Sequence, residues 1–169
     1  MPEAIKFYVR WVEKVNRIIG RFAMYLIFAI LGVLLYSSIT KTFFFPSLWT
    51  LEMAQFLMVA YFLLGGAYSM QIDSHVRMDL IYGAWKPKTK AIVDAITVLF
   101  LLFYLAFLLY GGISSTQYAL EYNETSYSAW SPPMAPIKIV MTFGVFMMLL
   151  QVIAIFFKDV ATARGESLE

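Results

Sequence analysis

The chain contains no cysteine and only one histidine, His75, among its 169 residues. Without cysteine it can form neither a disulfide nor a thiolate nucleophile nor a thiolate metal site. One imidazole leaves almost no material for a histidine-based metal centre. Charge is also scarce, at 14% of residues and a net of +2. A soluble domain carries roughly 25% charge, and a nucleic-acid-binding domain shows a strong basic excess. Neither description fits. Finally, proline and every acidic or basic side chain are missing from the interiors of the long apolar runs. Holding a charge near a bilayer midplane costs about 2.5–3.5 kcal/mol even on the lenient insertion scale. Proton- and ion-coupled carriers nonetheless keep ionisable groups or broken helices there. This chain does not read as a self-sufficient pump or carrier.

What is present is hydrophobic length. Residues of the apolar class make up 61% of the chain, and they fall into four runs. These cover 22–40, 53–72, 95–118 and 139–157, each bounded by charged residues. About 20 apolar residues at 1.5 Å rise cross a hydrocarbon core, and backbone groups in lipid must pair within their own segment. The expectation is an all-α integral membrane protein with four transmembrane helices in one domain, 1–169. Turns are expected at Phe45-Pro46-Ser47, at Lys86-Pro87-Lys88 and at Ser131-Pro132-Pro133 with Pro136, since these break helices.

The basic residues orient the bundle. Eleven of the thirteen lysines and arginines lie in the N-terminal segment, the second connection and the tail; Lys41 and Lys138 lie opposite. The positive-inside rule then places both termini in the cytoplasm, and Glu121 and Glu124 outside. Ahead of the first span, Lys6, Arg10, Lys14, Arg17 and Arg21 recur at steps of 4, 4, 3 and 4, so they line one helical face. With Trp11 and its apolar neighbours they predict an amphipathic interfacial helix over 1–20, drawn to anionic lipid. The same residues do not read as a cleavable signal peptide.

Polar residues inside the runs, among them Gln55, Ser69, Thr97, Thr116, Thr142 and Gln151, are expected to form hydrogen bonds between helices. Gly65 with Ser69, and Gly111 with Ser115, place small residues four apart, a spacing that lets helices approach closely. Gly66 and Gly112 adjoin them. The densest polar cluster runs from Gln71 to Asp79. If helical, it puts His75 with Asp79, and Asp73 with Arg77, on shared faces. With no third ligand or nucleophile, that cluster reads as an ion-pair cap or subunit contact rather than a catalytic pair.

Several segments together resemble a known family. Trp49-Thr50-Leu51-Glu52 puts a glutamate at the outer start of the second span, and Phe62-Leu63-Leu64-Gly65-Gly66-Ala67-Tyr68 fills its inner half. His75-Val76-Arg77-Met78-Asp79 follows, and the segment Glu124 to Lys138, with Trp130 and Pro133, leads into the last span. In order and spacing this is similar to the small, DctQ-like membrane subunit of tripartite ATP-independent periplasmic (TRAP) transporters, although Met134 stands where that pattern carries an aromatic. The resemblance implies a scaffold in a bacterial inner membrane, not an enzyme. The implied partners are a large TRAP membrane subunit and a periplasmic substrate-binding protein, in sodium-coupled uptake of a carboxylate-type solute. It marks Glu52, Gly65, Gly66, His75, Arg77, Asp79, Trp130, Pro133 and Lys138 as candidates for subunit contact or structural roles, and Glu121 and Glu124 as candidates for docking the binding protein. Two rival classes are an autonomous small membrane enzyme built on His75 and a homo-oligomeric four-helix exporter.

Overall fold

The computed structural model describes residues 3–72, 74 and 85–164. Four α-helices account for almost all of it: α1 (Glu3–Phe43), α2 (Thr50–Gln71), α3 (Pro87–Glu121) and α4 (Ala135–Arg164). Each contains a stretch long and apolar enough to cross a membrane. Their ends follow local chemistry. α3 starts on Pro87, in its first turn, where a missing N–H costs nothing. It stops where Asn123 takes a φ of 48° and the Glu124 amide reaches back to the Ala119 carbonyl at 3.2 Å, a left-handed cap of the Schellman type.

The N-terminal segment is not a separate helix. It forms the first five turns of α1, which runs unbroken from Glu3 to Phe43 and is about 60 Å long at 1.5 Å per residue. No proline or positive-φ residue interrupts it, so nothing in the backbone turns the chain between the basic stripe and the span. The helices likewise overrun the expected spans at 95–118 and 139–157, because apolar content marks where lipid can be, not where helix ends.

Contacts between helices set the arrangement. α1 and α2 are antiparallel: a Cβ at Gly20 would meet Tyr68, and Thr50 bonds Ser37. α2 and α4 run parallel, with Leu63 against Gly144 and Met148 against Gly66. α3 and α4 are antiparallel, joined at Gly112 and Thr142. The order is therefore α1–α2–α4–α3, with the first part of α1 also crossing onto the last part of α4, where Val9 and Val12 pack on Ala154. α3 packs chiefly on α4. Within their most apolar stretches a third of α4 is buried but only 6% of α3. α4 is the hub.

Two glycine expectations shift by one residue. Beside Gly65 and Gly111 a Cβ would meet nothing within 4 Å, whereas Gly66 faces Met148 and Gly112 faces Thr142. One residue turns a helix face by 100°, so spacing alone cannot say which of two adjacent glycines meets the neighbour. The closest backbone approaches lie elsewhere, at Gly20 and at Gly144, where an added Cβ would stand 2.8 Å from the Leu63 Cβ.

Candidate subunit-contact and docking surfaces

Polar chemistry gathers at the two ends of the bundle. At the end holding the 122–134 connection, α3 and α4 are joined by a compact hairpin. The Ser126 amide donates to the Pro132 carbonyl and the Met134 amide to the Glu124 carbonyl, both at 2.9 Å. Thr125 and Pro133 form a bridge pair, and Ser131, with φ 47°, closes the tip onto Ser128. Two side-chain ties hold this hairpin down. The Lys138 ammonium donates to the Glu124 carboxylate, both partly buried. The Ser126 hydroxyl lies 3.5 Å from the Glu52 carboxylate on α2, whose other oxygen is buried without a hydrogen-bonding partner. Glu52 sits in the first turn of α2, where the helix dipole favours a negative charge.

Glu124 is thus engaged with Lys138, while Glu121 is exposed. Pro133 and Trp130 are exposed on the same hairpin, and Tyr127 at its tip is fully exposed. Tyr118 and Tyr122 stack beneath it with centroids 4.7 Å apart. The expected docking surface is in this way a folded, aromatic-rich hairpin tied to both α2 and α4.

At the opposite, basic end, α1 is fastened to α4 by contacts that the residue pattern only half announces. Asn16 and Gln151 are both 1% exposed, and the Asn16 amide donates to the Gln151 carbonyl at 2.7 Å. The Tyr8 hydroxyl donates to the Leu150 carbonyl at 3.1 Å, and Lys158 pairs with Glu13. Gln151 and Thr142 meet the expectation of helix-to-helix hydrogen bonds, Thr142 through Thr116 at 3.0 Å. Asn16, Glu13 and Tyr8 were not foreseen. Their signal was present as a buried stripe, Val9–Val12–Asn16–Gly20–Ala23, hidden because asparagine and glycine break its apolar appearance. Opposite that stripe Arg10, Lys14, Arg17, Arg21 and Trp11 are exposed and Lys6 is half-buried. His75, Arg77 and Asp79 lie outside the described residues.

Four membrane-length helices without a strand among the described residues define a multi-pass, all-α membrane protein. The family model for tripartite ATP-independent periplasmic transporters, DctQ component, matches residues 30–162. The chain belongs to this family and is a TRAP transporter small component. No curated protein matches it. The match begins inside α1, after the Asn16, Glu13 and Tyr8 contacts.

Proposed function

We propose that this chain is the scaffold subunit of a TRAP transporter, holding a large membrane subunit that moves solute and receiving a periplasmic substrate-binding protein at the 122–134 hairpin. Membership of the DctQ family carries this reading. The absence of acidic and basic residues from the interiors of the four apolar runs supports it, because the coupling chemistry is then expected in another chain. Sodium coupling and a carboxylate-bearing solute belong to the same proposal, as do a bacterial inner membrane and cytoplasmic termini, the last supported by the lysine and arginine bias.

In this reading Glu52, half-buried in the first turn of α2, is a contact point for the large subunit. The basic face of α1 rests against lipid headgroups. The test is to purify the tagged chain gently from its native membrane and identify what accompanies it in fixed ratio. A large polytopic protein at one-to-one supports the scaffold role; the chain alone, or a homo-oligomer with autonomous transport, overturns it. For the hairpin, Glu121→Lys with Glu124→Lys is expected to weaken docking of the binding protein and lower uptake. Unchanged uptake removes both carboxylates from the docking surface.

A further inference from the structure

A cleft of about 550 Å³ opens beside α1 and α2 near the basic end of the bundle. Its size lies within the roughly 300–1,000 Å³ of small-ligand pockets. Gly20 and Met24 of α1, Tyr61, Gly65 and Tyr68 of α2, and Met148 of α4 contribute to its walls. The lining is mostly apolar and deformable, since methionine side chains adapt to irregular hydrocarbon, and Gly65 leaves open space where a Cβ would stand. Ser74 also lines it.

Charge identifies the occupant. Arg17, Arg21 and Met24 follow one another at i, i+4 and i+7, so the two arginines continue the Met24 face of α1 beyond the cleft. Both are exposed. Among the described residues neither guanidinium forms an ion pair, the nearby Glu13 being engaged by Lys158. Like charges at i and i+4 oppose helix formation, and an anion lying between them removes that opposition. A phosphate diester suits it, because guanidinium groups bind phosphate oxygens in bidentate fashion. One ligand combines hydrocarbon for the cleft with a phosphate at its mouth.

We propose that the cleft seats an acyl chain of one anionic phospholipid whose phosphate is held by Arg17 and Arg21. This goes beyond adhesion of the whole basic stripe to a charged surface, because it requires a single bound molecule whose position depends on Gly65 as well as on the arginines. It does not depend on which partner the chain scaffolds.

The test uses the purified assembly, with whatever subunits accompany the chain, in nanodiscs of mixed phosphatidylglycerol and phosphatidylcholine. Native mass spectrometry then counts the lipids retained after release. One phosphatidylglycerol is expected on the wild type, in preference to phosphatidylcholine. Arg17→Gln with Arg21→Gln should lower its occupancy on the order of tenfold, as expected for two lost basic contacts. Gly65→Leu, whose Cβ has open space around it and whose longer side chain enters the cleft, should expel it while leaving the helical content unchanged. Arg10→Gln with Lys14→Gln removes the same charge farther along the stripe and should have the smaller effect. The proposal is overturned if that control lowers occupancy as much as the Arg17 and Arg21 pair, or if Gly65→Leu retains wild-type lipid. It is equally overturned if both lipids are held alike, or if no lipid is retained because a partner's side chain fills the cleft.

Discussion

At the scale of single residues, the Asn16–Gln151 pair is the most informative contact in the molecule. Both amides are buried, and truncating one leaves the other facing hydrocarbon without its partner. Asn16→Leu or Gln151→Leu alone is expected to lower stability by about 0.6–1.7 kcal/mol. The double replacement should recover most of that loss, because two apolar groups leave no donor or acceptor unsatisfied. Denaturant titration of the purified chain in mixed micelles, arranged as a double-mutant cycle, measures it; silent single variants would show that the pair fastens nothing. Gln151 was legible in the sequence, since a lone amide in an apolar run has few places to go. Asn16 was not, because it lies among charged residues where an amide looks like ordinary solvated surface. Only its register with Val9 and Val12, on the face of α1 that packs against α4, gives it meaning.

At the scale of helices, the four spans were legible from apolar length and flanking charge, and the turns from proline. Helix length was not, since charged residues such as Glu13 and Lys14 continue a helix as readily as apolar ones. Nor was the packing face, because the apolar runs of α2, α3 and α4 look alike all round. The glycines make this measurable. Gly144→Ala should cost about 1–3 kcal/mol by forcing α2 from α4, and Gly20→Ala should act in the same direction against Tyr68. Gly65→Ala and Gly111→Ala should be neutral or stabilising by up to about 1 kcal/mol, alanine being the better helix former. Thermal unfolding of the four variants side by side checks the contrast, and a destabilised Gly65→Ala would contradict the open wall at that position. The hairpin offers a second test. Glu124→Gln or Lys138→Met should speed proteolysis within 122–134, and the reversed pair, Glu124→Lys with Lys138→Glu, should restore part of the protection. Protection unchanged in the single variants would mean the backbone bonds of the hairpin suffice.

At the scale of the whole molecule, α3 is the least supported element, since it packs chiefly on α4 and little of its apolar stretch is buried. Its amides should exchange with solvent faster than those of α4 in the detergent-purified chain, and should slow when the large subunit is present. Equal exchange in α3 and α4 of the isolated chain would show that intrahelical bonding alone sets their protection. The remaining three helices are joined differently. α1 meets α2 near both ends, through Ser37 and Thr50 and through Gly20 and Tyr68, and meets α4 near the basic end, through Asn16 and Gln151. α2 in turn presses on α4 between those levels, at Leu63 and Gly144. Three struts tied pairwise, with α1 and α2 joined near both ends, make a truss: a tilt of any one loads its contacts with the other two. On the proposed scaffold role, a body braced in this way is expected to move as one piece, with the solute-moving subunit travelling past it.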